Sequence, residues 1–134
     1  MMNMKSSITN SIPSVKNFTY SEFSCPCRIC EYGSGRDIDP ILPLIAQEIR
    51  NALDRPLKVN SACRCGPHNS TVGGSLNSQH LDKNGFKAMD LDIKHSWERA
   101  KAIEIALDRG ASVGLNKDFL HIDVREGKPI IFLY

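Results

Sequence analysis

An α+β domain, with one small antiparallel sheet and helices packed against one side of it, is the fold class this sequence predicts. Two stretches carry apolar residues at helical spacing. Short segments of β character gather mostly behind them, which favours a sheet over a bundle. At 134 residues the chain is long enough for one hydrophobic core and hardly for two.

The elements follow in order. Residues 1–17 form a polar leader, expected to be loosely ordered, and residues 18–134 are expected to form a single domain. Asp39 followed by Pro40 reads as a helix start, an N-cap acceptor with proline at the first helical position. Ile41, Leu42, Ile45, Ile49 and Leu53 then recur at helical spacing, with a stop before Pro56. Ser96 opens a second helix, whose apolar residues are Trp97, Ala100, Ile103, Ile105 and Leu107 and whose stop is Gly110. Trp97 is expected in the core. Segments 57–61, 88–93, 119–124 and 130–134 read as strands, and residues 61–85, rich in Ser, Asn and Gly, read as loop and turn.

Composition narrows the function classes. Hydrophobic residues make up 41% and charged residues 24%, which excludes disordered, collagen-like and coiled-coil chains. A formal charge of +2 implies no nucleic-acid partner. No apolar run approaches the roughly 20 residues needed to span a bilayer, so no membrane partner is expected. The N-terminus has a Lys without an apolar stretch behind it, so synthesis in the cytoplasm without a cleaved signal peptide is expected. Five cysteines, Cys25, Cys27, Cys30, Cys63 and Cys65, fall in two tight groups. Their odd number argues for thiols or metal ligands over a paired disulfide framework. A structural zinc ion on these five is one reading, and buried small hydrophobes the other.

The chemistry-bearing side chains are His80, Asp90, Asp92, Asp118, His121 and Asp123. Catalytic zinc usually takes three protein ligands and keeps a position for water. Two imidazoles and one carboxylate leave such a site with a charge of about +1, which favours carbonyl polarisation and acidification of water. On strands, His121 and Asp123 share a face, as do Asp90 and Asp92. Spacing leaves open which aspartate would bind a metal. Asp118 is expected in a turn made by Asn116 and Lys117. His68 and His95 read as solvated or packing histidines.

Two stretches read together, SQHLDKNGFKAMDLDI (residues 78–93) and DFLHIDVR (residues 118–125), resemble the signature of the M15 zinc peptidases. That pattern runs S-x-H, a Gly, A-x-D, then an acidic residue three before a final His; Ser78, His80, Gly85, Ala88, Asp90, Asp118 and His121 match it. Upstream, SACRCGPHNSTVGG (residues 61–74) is similar to the family's S-G-Y-R-x-x-x-x-N-x-x-V-G-G, and FTYSEFSCPC to the start of its short, single-domain branch. One departure is the stretch between His80 and Asp90, residues 81–89, which is longer than usual and would border the cleft.

The resemblance implies a hedgehog/DD-peptidase-like fold and a single catalytic zinc on His80, Asp90 and His121. It chooses Asp90 over Asp92 and makes Asp118 the general base, later the acid. Arg64 would stabilise the oxyanion or grip a substrate carboxylate, Ser78 would hydrogen-bond near the substrate, and Asp123 would orient an imidazole or Arg125. The implied activity is hydrolysis of peptidoglycan stem peptides or cross-bridges, as a D-Ala-D-Ala carboxypeptidase or an endopeptidase. The expected enzyme is a monomeric, phage-type lysis enzyme, released across the membrane to the wall or carried on a virion. The other reading is a wall-binding or virion structural module that keeps the zinc without cutting.

Overall fold

In the computed structural model the described residues are 10–27 and 35–134. A five-stranded sheet is built from β3 (Val59–Ser61), β4 (Ala88–Leu91), β5 (Ser112–Leu115), β6 (Leu120–Asp123) and β7 (Ile131–Leu133), in the order β3-β4-β6-β5-β7. All its pairings are antiparallel except that of β5 with the edge strand β7, which is parallel. A separate hairpin joins β1 (Ser11–Ile12) to β2 (Val15–Thr19). The expected α+β architecture stands, with that parallel edge added.

Alternation along the strands sorts side chains by chemistry. Met89, Leu91, Val113, Leu120 and Ile122 point into the hydrophobic core, and none of them exposes any surface. Helix α1 (Ile41–Leu53) and helix α3 (Ser96–Asp108) close that face with Leu42, Ile45 and Ile49 from the first and Ala102 and Ala106 from the second. Burying each large aliphatic side chain contributes roughly 1.5–3 kcal/mol, so this face dominates the register. Asp90, His121 and Asp123 fall on the opposite face and are nevertheless buried.

Helix α1 starts one residue later than the sequence indicates, at Ile41 with Pro40 as N-cap; Asp39 Oδ1, just ahead, accepts from the Ile41 N–H at 3.1 Å and satisfies one of the orphan donors of the first turn. Two expectations change. Trp97 is 65% exposed, because the buried line of α3 runs through Glu98, Ala102 and Ala106, leaving Trp97 on the solvent side of the first turn. Within the supposed loop of residues 61–85 lies helix α2 (Gly66–Thr71), with proline near its start. Ahead of Phe18, Val15 on β2 is buried, and the Gln47 side chain pairs with the Asn17 backbone and side chain at 2.8 Å each.

Glu98 is the one charged residue on that buried line. Arg55 meets it with a two-pronged pair, Nε to Oε2 at 2.9 Å and Nη2 to Oε1 at 2.8 Å, and thereby holds its carboxyl below the ordinary range. Glu98→Gln is therefore expected to lower stability near neutral pH by about 1–2 kcal/mol, discounted because Arg55 is partly exposed. The folded carboxyl titrates lower than the unfolded one, so the contribution is full above about pH 4.3 and fades as pH falls. Urea unfolding at neutral and acidic pH checks this: the gap between variant and parent should narrow in acid, and a constant gap would refute the charge argument.

Candidate metal centre

The centre starts from a cross-strand pair. Asp90 on β4 lies directly opposite His121 on β6, and Gly114 on β5 lies on the other side of His121. A Cβ added at Gly114 would come within 2.9 Å of the Phe132 ring and 3.1 Å of the His121 Cβ, so glycine is what lets the imidazole fit between strands. His80 arrives from the loop before β4. It is held by its own backbone N–H on Ser78 Oγ (3.1 Å) and by the Arg64 N–H on its carbonyl (2.9 Å).

His80, Asp90 and His121 each present a ligand atom within 4.8 Å of the other two. Exposure is 0%, 2% and 2%, so water does not satisfy these atoms. His80 Nδ1 lies 2.7 Å from the Ala62 carbonyl, which only accepts; that nitrogen therefore carries the hydrogen and Nε2 bears a lone pair. Burial keeps the ring below its ordinary pKa, hence neutral, yet Nε2 faces Asp90 Oδ1 at 3.2 Å. Two acceptors are thus aimed at one point in a dry place. A cation between them resolves the conflict, and the imidazole and carboxylate donors suit zinc.

The second imidazole is oriented from behind. His121 Nε2 donates to Asp123 Oδ2 at 2.8 Å, turning Nδ1 to Asp90 Oδ1 at 2.9 Å. Burial pushes the His121 pKa down, but the hydrogen bonds to Asp123 and Asp90 outweigh it and the net shift is upward. Burial likewise opposes ionisation of Asp90, while its close contacts with the His121 and His80 rings outweigh that cost and hold it at about 2. Asp123, also at about 2 against the cost of burial, is shared between His121 and Arg125, whose Nε and Nη2 reach it at 2.8 Å and 2.6 Å.

Arg64 is 6% exposed and reaches the centre: Nη2 contacts Asp90 Oδ2 at 3.3 Å, Nη1 contacts Asn69 Oδ1 at 3.1 Å, and Nε contacts Ser61 Oγ at 3.1 Å. Gly74 packs so tightly on Asn69 and Arg64 that a side chain there would collide with both. This contact gives the N-x-x-V-G-G stretch its physical meaning. Ser78 is buried beneath the His80 backbone.

Asp118 sits apart from this cluster. It occupies an exposed turn closed by its N–H on Asn116 Oδ1 (2.9 Å), and among the described residues its ion-pair partner is Lys117 at 3.7 Å. Arg99 ties that turn down through the Asn116 and Phe119 carbonyls. Asn116 and Phe119, the turn's two ends, line a cavity of about 440 Å³ whose wall includes Asp90, Arg64 and Tyr134. The lengthened segment before β4 forms a 3-10 turn (Asp82–Asn84), and Phe86 behind it is buried in the core. That turn borders a surface hollow with Gln79 and Arg125 and does not line the Asp90 cavity.

Several contributors were not foreseen. The Tyr134 ring lies 4.6 Å from that of His121, and burial raises its hydroxyl pKa. It lines both the Asp90 cavity and a second one of about 360 Å³ walled by His121, Ser78 and Arg125. The Ala62 carbonyl, Asn69 and Arg99 likewise act through contacts with residues distant in sequence, and only the aromatic character of residues 130–134 hinted at Tyr134. Of the cysteines, Cys25, Cys27 and Cys65 cluster, Cys63 belongs to the hydrophobic core, and Cys30 lies outside the described residues.

Compared with known families, the chain matches the one described as Peptidase M15 over residues 16–123. No curated protein matches it.

Because Asp123 fixes the rotation and tautomer of His121, Asp123→Asn is expected to weaken zinc binding roughly 10- to 100-fold. Competition with a chromophoric chelator measures this, and an unchanged affinity would remove Asp123 from the account.

Proposed function

The chain belongs to the M15 peptidase family, and from that premise we propose that it is a zinc-dependent hydrolase of peptidoglycan stem peptides or cross-bridges. The observation that carries the metal assignment is the neutral, buried His80 Nε2 aimed at Asp90. His80, Asp90 and His121 would hold the ion, and zinc so held supplies Lewis acidity, polarising a carbonyl and lowering the pKa of water.

The protein's own side chains supply the rest. Asp118, exposed on its turn beside the cavity, takes the proton of the attacking water on a carboxylate oxygen and passes it to the leaving amine. Arg99 is a positioning residue for that turn. Arg64 fixes Asp90 and places positive charge on the cavity wall where the carbonyl oxygen becomes negative. Tyr134 covers the His121 ring and limits water access to it.

Two cavities share Gly73, Gly74 and Tyr134 as lining and so adjoin, and room for substrate residues on either side of the scissile bond would favour endopeptidase over carboxypeptidase action. The expected setting is lysis of a bacterial wall by a phage-type enzyme. Mass spectrometry of muropeptides treated with the zinc-loaded chain should show a new stem-peptide product whose mass names the bond cut. Asp118→Ala should lose at least about 100-fold in rate with its zinc content unchanged. Equal product from variant and parent, or none from the parent, would leave the non-catalytic wall-binding reading in its place.

A further inference from the structure

We propose that Cys25, Cys27 and Cys65 hold a second zinc ion, structural in role, that clamps the segment carrying Arg64 to the N-terminal part of the domain. The three sulfurs lie within 4.8 Å of one another, with Cys25 Sγ to Cys65 Sγ at 3.8 Å and Cys27 Sγ to Cys65 Sγ at 3.4 Å. A tetrahedron with zinc–sulfur bonds of about 2.3 Å has sulfur–sulfur edges of about 3.8 Å. The first separation equals that edge, the second is somewhat shorter, and both are far longer than a disulfide bond of about 2.05 Å.

Burial in an apolar core does not account for the group. Cys63 is a core cysteine, packed in the main hydrophobic cluster, whereas Cys25 and Cys65, 3% and 5% exposed, are buried outside that cluster and against each other. Three convergent soft donors with little solvent are what a thiolate-bound cation requires. The Cys65 sulfur also accepts the His68 N–H at 3.5 Å, which fixes it at the start of α2. On binding, the three thiols release their protons to solvent and no electron is transferred. Three thiolates leave one corner of the tetrahedron to a further donor.

The clamp explains how a short polar segment stays in register. Cys65 directly follows Arg64, whose N–H bonds the His80 carbonyl, and the neighbouring Cys63 N–H bonds the Phe23 carbonyl at 3.1 Å. An ion shared by Cys25, Cys27 and Cys65 would tie the same two stretches by their side chains.

The test uses the full chain loaded with cobalt(II), in the parent and in a His80→Ala/His121→Ala variant lacking the first centre. The parent should bind two ions per chain. The double variant should keep one, with an intense thiolate-to-cobalt charge-transfer band, and adding Cys27→Ser should remove that band. Should Cys27→Ser fold poorly, native-state alkylation of the zinc-loaded parent gives a second reading: Cys25, Cys27 and Cys65 should react only after a chelator is added. One ion per parent chain without the band would overturn the proposal. So would alkylation indifferent to chelator, or a mass lower by two hydrogens that reductant restores, which would mean a disulfide.

Discussion

The pairing of Asp90 with His121 across β4 and β6 is the constraint on which the rest of the centre depends. Side chains alternate along a strand, so a slip of one residue would bring Met89 and Ile122 to the polar face and drive a carboxylate and an imidazole into the core. What prevents the slip is the opposite face. Met89, Leu91, Leu120 and Ile122 expose no surface and pack against α1 and α3. Helices that carry no chemistry thus determine where the chemistry lies, because the apolar area they bury outweighs any preference of the polar side chains.

Burying charge on the other face is costly unless each group is answered. Here they are answered in pairs. Asp90 has Arg64, Asp123 has Arg125 and His121, and the remaining donors of Arg64 go to Asn69 and Ser61. The segment from Ser61 to His80 provides this cover, and Gly74 lets it approach closely. After the pairing is complete the unmet demand is concentrated at His80 Nε2, where a cation would satisfy it. The cover also excludes water, which strengthens the interactions a developing oxyanion would feel.

Legibility in the sequence followed the range of the interactions. Helix α1 was readable to within one residue because start signal, periodicity and stop are all local, and the strand segments at 57–61, 88–93, 119–124 and 130–134 each contain an observed strand. Helix α2 was read as loop because Gly, Pro, Asn, Ser and Thr have poor helix propensity; Cys65 at its N-cap and the bonds of its own Asn69 to Arg64 and the Ser75 carbonyl hold it in place. Strand β5, short and containing Gly114, carries too weak a pattern to stand out, yet the sheet closes on it. Trp97 was assigned to the core by its apolar character, whereas α3 approaches α1 through small Ala residues and leaves the indole outside.

The order of motifs along the chain was enough to single out His80, Asp90, His121 and Arg64, the residues the fold brings into contact, because metal-ligand chemistry restricts residue type and local spacing. It could not supply which imidazole nitrogen faces the centre. That depends on the Ala62 carbonyl behind His80 and on Asp123 behind His121. Nor could it show that Cys25 and Cys27 meet Cys65, or that Tyr134 covers His121. Periodicity and capping are properties of neighbours in sequence; lone-pair direction, burial and the sharing of a carboxylate arise only when segments far apart in the chain are packed against one sheet.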